Sequence, residues 1–132
     1  MHLVVDAHSV RHIRSIVRSL LAEWGLAQLT DALELAVSEL VTNVVRHVPD
    51  RRCTVMFARQ TVGVRVEVTD GHGELPCRPR ASDDEAEGGR GLTLLDAVVD
   101  KWGVSPTDEG GKTVWFECTS DHEPWPTGSP RP

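Results

Sequence analysis

Four short groups of residues in this chain have types and spacings suited to recognising a ligand. Glu39, Asn43 and His47 follow one another at i, i+4 and i+8, so a helix would carry a carboxylate, an amide and an imidazole in one line. Asp70 closes a valine-rich run and is followed by Gly71-His72-Gly73, where a fixed carboxylate at a strand end can accept a hydrogen bond from a ligand amine. Gly88-Gly89-Arg90-Gly91 stands directly before a helical pattern. Orphan N–H groups and the positive end of a helix attract an anion, and glycines let a phosphate reach the backbone. Gly111-Lys112-Thr113 leads into the last apolar run. Each group has a plain alternative: the first as boundary residues of a half-buried helix, the others as ordinary turns or a hinge.

The elements that must position these groups follow from periodicity. Val10, Ile13, Val17, Leu20, Leu21 and Trp24 keep helical spacing and predict a first helix from about Ser9 to Trp24, stopped at Gly25. Leu33, Val37, Leu40, Val41, Val44 and Val48 fall in one arc at about 100° per residue, so a second helix should bury that face. Thr30 or Asp31 is placed to cap it, and Pro49 to end it after His47. The Glu39 line runs beside the apolar arc, at the edge of the buried face.

The period then changes to two. Residues 53–59 and 62–69 read as strands joined by a hairpin, the second alternating valine with polar residues. Residues 74–89 signal no regular structure and carry the acidic run Asp83-Asp84-Glu85-Ala86-Glu87. A third helix is expected over 92–99, a short strand over 101–105 and a longer one over 112–118, with Asp108-Glu109-Gly110-Gly111 as the turn between the strands. From Ser120 onward, Pro124, Pro126, Pro130 and Pro132 predict a disordered tail. Two helices, two strands, a loop, one helix and two strands suit an α+β layer with helices on one sheet face.

Composition excludes several classes. At 132 residues the chain fits one domain with a real core. A net charge of −6, with the arginines scattered, argues against a nucleic-acid surface. No apolar run approaches the roughly 20 residues of a membrane span, and no basic segment precedes a hydrophobic one at the start, so a cytoplasmic address is expected. Three cysteines, Cys53, Cys77 and Cys118, at wide spacings suggest free thiols rather than disulfides or zinc. His8 with His12 is the lone i, i+4 histidine pair and reads as surface.

Taken in order, Glu39-x-x-x-Asn43, Asp70 with its glycines, Gly89-x-Gly91 and Gly111-Lys112-Thr113 resemble the motif series of the GHKL ATPase and kinase superfamily, whose ATP site is the Bergerat fold. The resemblance runs from about Val4 to Thr119. Among its members the chain looks most like the small stand-alone anti-sigma-factor serine/threonine kinases of bacterial partner switching, being short and without an attached phosphotransfer or sensor segment. The resemblance implies a two-layer α+β sandwich, a mixed, largely antiparallel sheet covered on one face by about three helices. Residues 1–119 would be a histidine-kinase-like ATPase domain and 120–132 a Pro-rich tail.

It further implies a kinase that binds Mg·ATP, phosphorylates a STAS-type anti-sigma-factor antagonist and holds a sigma factor, with a homodimer as a family expectation. Glu39 matches the general base toward the partner's hydroxyl, and Asn43 the residue that holds Mg²⁺ against the triphosphate. Asp70 matches the reader of the adenine amino group, and Thr113 the threonine supporting that contact. Gly71 and Gly73 stand for the first glycine box, and Gly89, Arg90, Gly91 and Leu92 for the second, at the hinge of the ATP lid. His47 matches a histidine at this helix end, with a packing or capping role. One departure is visible. The family's first box is D-x-G-x-G, whereas Asp70-Gly71-His72-Gly73-Glu74 sets both glycines one place early. That departure keeps open a second reading, a non-catalytic module of the same fold that sequesters a partner.

Overall fold

The computed structural model describes residues 1–73 and 94–120. The predicted second glycine box, the acidic run, Cys77 and the Pro-rich tail lie outside the described residues.

The first helix, α1, spans Ser9–Trp24 as its apolar spacing predicts. Its start is held by a reciprocal pair. The Ser9 N–H donates to Asp6 Oδ1 at 3.2 Å, and the Asp6 N–H donates to Ser9 Oγ at 2.9 Å. The His8 amide, donating to the same carboxylate, holds the Asp6 carboxyl below its ordinary range. At the other end Gly25 takes a left-handed φ of 73°, and the Leu26 N–H reaches back to the Leu21 carbonyl at 2.8 Å.

A 3₁₀ turn over Ala27–Leu29 then runs straight into α2, Thr30–His47. This corrects the expected side-chain cap: Leu29 holds the N-cap position with no side-chain bond, and Thr30 is already helical. The turn explains the difference, because its Ala27 carbonyl accepts the Thr30 N–H that a cap would otherwise satisfy. Asp31 in the first turn and Arg46 and His47 in the last complement the helix dipole.

Among the described residues five strands form one sheet in the order β1-β2-β3-β5-β4, with β1 at His2–Val4, β2 at Arg52–Gln60, β3 at Gly63–Asp70, β4 at Lys101–Pro106 and β5 at Lys112–Thr119. Every pairing among the described strands is antiparallel. The β2–β3 hairpin turns at Thr61-Val62, with Gln60 opposite Gly63. Strand β1 was not legible in the sequence, since three residues are too few to show a period of two. Residues 94–98 form α3; its Leu95 is fully buried, and Asp96 Oδ1 accepts the Trp102 indole N–H at 2.7 Å.

Strand parity fixes which face meets the helices. Val64, Val66 and Val68 of β3 and Val114, Phe116 and Cys118 of β5 are buried, with Phe116 at 0% exposure. They pack with Ile13, Val17 and Leu21 of α1 and with Leu33, Val37, Leu40 and Val41 of α2. Alternate residues form the other face, where Met56 is 50% exposed. There the Arg65 guanidinium lies 4.2 Å from the centre of the Trp115 ring and bonds Glu117 at 2.9 Å, holding the Glu117 carboxyl below its ordinary range. No helix among the described residues is long and apolar enough to cross a membrane.

Two cysteines are free thiols inside this core. Burial pushes the Cys53 thiol up to about 11, with the charge of Asp70 adding to it, and pushes the Cys118 thiol up to about 12, with Asp100 adding. A raised thiol pKa means that the folded state keeps a proton the unfolded chain loses. The associated stability is therefore complete below pH 9 and is lost as pH rises toward 11 to 12. In a Cys77→Ser background at pH 8, both thiols should react with iodoacetamide at least about a hundred times more slowly than in the urea-unfolded chain. Mass spectrometry showing comparable native rates would contradict this burial.

Candidate functional site

Helix α2 carries the first group of candidate residues. It is clamped to α1 through Glu34, whose carboxylate meets Arg18 Nε at 2.7 Å and Arg14 Nε at 3.5 Å, and it packs on β3 and β5. Ser38 is buried and donates its hydroxyl to the Glu34 carbonyl at 2.6 Å. The line seen in the sequence emerges with graded burial: Glu39 is half-buried, Asn43 is 9% exposed and His47 is exposed. Asn43 Nδ2 is buried and has no hydrogen-bond partner among the described residues. A buried amide with unfilled bonding capacity is uncommon in a finished core and suits a group that bonds a ligand. The two amide ends exchange by a simple flip, so the same side chain can present its oxygen to a cation.

The second group stands where the end of β3 meets the start of β5. Asp70 stands opposite Lys112 in the register, and both side chains follow the parity of Val68 and Val114 toward the helix face. Their side chains are 3% and 5% exposed. Lys112 Nζ lies 2.9 Å from Asp70 Oδ2 and 3.0 Å from Oδ1, and it also donates to the His72 carbonyl at 2.9 Å. The His72 N–H donates to Asp70 Oδ1 at 2.8 Å. Asp70 is thus a buried, ion-paired carboxylate at the strand end where the sequence pattern expects a ligand-reading one.

Helix α2, which carries Glu39 and Asn43, thus packs on a sheet whose β3 strand ends in Asp70. The family model described as histidine kinase-like ATPase domain matches residues 3–118, from β1 to β5. The chain belongs to the histidine kinase-like ATPase family. Its α+β architecture, an open antiparallel sheet with three helices, is that of the GHKL fold. One similar solved chain comes from the crystal structure of the SiaB-SiaC complex from Pseudomonas aeruginosa, at 15% identity and a TM-score of 0.62, covering 89% of this chain and 88% of that one. At that identity the likeness is one of fold. No curated protein matches the chain.

Within this ATPase-family domain the register sets Thr113 apart from Asp70. Thr113 lies on the sheet face opposite Asp70, where its hydroxyl bonds Thr69 Oγ1 at 2.8 Å. Lys112 is the residue brought to Asp70 instead. The signal was present in the sequence: counting back in twos from Phe116 and Val114 reaches Lys112, not Thr113.

The shifted glycine box has a structural use here. A Cβ on Gly111 would sit 2.0 Å from the Asp70 carbonyl oxygen, and one on Gly73 would sit 2.6 Å from the Gly110 carbonyl oxygen. The turn after β3 and the turn before β5 therefore touch backbone to backbone, a contact only glycine allows. Gly71, by contrast, has open space where its Cβ would be.

A cavity of about 630 Å³ adjoins Asp70 and Gly71 and is lined by Thr54, Thr69, Thr107 and Glu109 among others. Thr54 and Thr69 face each other on the open side of the sheet, away from α2. Neither Glu39 nor Asn43 lines it. Gly89, Arg90, Gly91 and Leu92, the predicted second glycine box, lie outside the described residues.

Proposed function

We propose that this chain is an Mg·ATP-dependent protein serine/threonine kinase that phosphorylates a STAS-type anti-sigma-factor antagonist and holds a sigma factor, in the cytoplasm, acting as a partner switch. The observation that carries the reading is the half-buried Glu39 one helical turn before a buried Asn43 whose amide nitrogen has no partner among the described residues, on a helix of an ATPase-family fold. The donor set fits Mg·ATP, since an amide oxygen is a hard ligand and Asp70 is an acceptor suited to an amine. Bound Mg·ATP supplies the phosphoryl group and the charge that neutralises it in transfer.

The chain's own residues divide the work. Glu39 takes the proton from the partner's serine or threonine hydroxyl. Asn43 holds the metal through its oxygen, and Asp70 accepts from the adenine amino group. Gly89, Arg90, Gly91 and Leu92 offer backbone and guanidinium donors to the phosphates. That one solved relative was crystallised as a two-protein complex, SiaB-SiaC, supports a protein partner.

A second reading, a non-catalytic module that sequesters its partner, is favoured by one observation: Lys112 occupies most of the carboxylate that should read the base. Calorimetry of the purified chain with Mg·ATP separates the two. The kinase reading expects submillimolar binding that Asp70→Asn abolishes. No detectable heat up to millimolar nucleotide favours the second reading.

A further inference from the structure

The Lys112 ammonium has three N–H bonds and three oxygens around it, Asp70 Oδ2 at 2.9 Å, Asp70 Oδ1 at 3.0 Å and the His72 carbonyl at 2.9 Å. Its donors are fully used. Asp70 is not evenly used. Oδ1 accepts from both Lys112 and the His72 N–H, while Oδ2 accepts from Lys112 alone. Among the described residues, one acceptor position on Oδ2 stays open.

We infer that Lys112 is a positioning residue that sets base specificity: it holds Asp70 as a carboxylate with one open lone pair, which accepts the exocyclic amino group of a 6-aminopurine and repels the carbonyl of a 6-oxopurine. The inference rests on the Mg·ATP reading of this site. Both partners are more than nine-tenths buried, so the pairing is built into the domain rather than lying on its surface. The same ammonium binds the His72 carbonyl, tying the turn after β3 to β5 and fixing the direction in which Asp70 points.

Removing the ammonium changes the chemistry of the acceptor. A carboxylate alone in the interior takes up a proton, because burial disfavours the charged form. A neutral acid then has one donor and one acceptor and can pair with an amino group or a carbonyl. Discrimination between the two purines therefore depends on Lys112, although Lys112 has no hydrogen left to give the base.

The test is calorimetric titration of the full chain with Mg·ATP and with Mg·ITP, whose base differs at the 6-position, with thermal unfolding run alongside to verify folding. The native chain should prefer ATP by at least about tenfold, a modest ratio for a site whose buried polar group would face an unmatched partner. In Lys112→Met the two affinities should come within about threefold of each other, mainly through a gain for ITP. Should that variant unfold, Lys112→Gln takes its place, because its amide can still hydrogen-bond the buried carboxylate but carries no positive charge. It should show the same loss of preference. If the native chain binds ATP selectively and a folded variant keeps the full ratio, this inference fails while the nucleotide reading stands. If neither the native chain nor a folded variant binds either nucleotide, both fail. If only Lys112→Met binds ATP, the lysine blocks the site and the inference fails.

Discussion

Lys112→Met should lower the free energy of unfolding by about 3–5 kcal/mol, a large fraction of the roughly 5–15 kcal/mol that holds a domain of this size together. The reason is what the substitution leaves behind. Asp70, with its side chain 3% exposed, would lose its ion-pair partner and, among the described residues, keep the His72 amide as its donor. Whether it stays charged without a partner or takes up a proton, the buried carboxyl costs far more than the net worth of the pair. Replacing both partners removes the cost at its source, so Asp70→Asn/Lys112→Met should recover most of the loss in a urea titration. A double-mutant cycle makes the comparison, and equal losses in the single and double variants would sink the argument.

The solvent-facing ion pairs provide the contrast. Arg18 bonds Glu34 at 2.7 Å, a shorter contact than any in the Asp70 pair, yet the Arg18 side chain is 60% exposed. Solvent and salt screen it, and an alanine there should cost no more than about 1 kcal/mol. Distance alone does not rank these interactions; burial does.

The same residues show what sequence reasoning reaches. Helix α1, the β2–β3 hairpin and the start of β5 were legible because apolar residues recur with a clear period and Gly25 ends the first run. The 3₁₀ turn before α2 was not, because Ala27-Gln28-Leu29 has no distinctive turn chemistry, and a backbone carbonyl replaced the expected side-chain cap. Lys112 was overlooked although the period-two argument pointed to it. A lysine on the apolar face of a strand is expected in solvent, and its burial makes sense only with a carboxylate from a strand 42 residues earlier in sequence. Register between non-consecutive strands is a tertiary fact that local pattern does not encode. Glu39 and Asn43 were visible as a line, but only packing reveals that Asn43 is buried with an amide nitrogen that has no partner among the described residues.

That leftover amide sets the second large effect beside its neighbour. Glu39→Ala should reduce phosphoryl transfer to the antagonist by at least about 10²–10⁴-fold, the usual worth of a positioned proton acceptor. Affinity for Mg·ATP should stay within about threefold of the native chain, since the carboxylate is assigned to the partner's hydroxyl and not to the nucleotide. Glu39→Gln keeps the shape and removes the base, so it should be as inactive as the alanine variant. Asn43→Ala should separate differently, weakening Mg·ATP binding while leaving the ligand-free domain as stable as before or slightly more so. Its buried nitrogen makes no bond among the described residues, and removing an unsatisfied polar group relieves a cost of about 1–3 kcal/mol that offsets the lost packing. Radiolabelled transfer, calorimetry and urea unfolding on the three variants measure the three quantities independently. Retained transfer in Glu39→Gln would remove Glu39 as the base, and a destabilised Asn43→Ala that still binds nucleotide fully would make Asn43 a packing residue. A helix face carrying a polar group that helps function and does nothing for the empty fold is how a binding site is distinguished from a core.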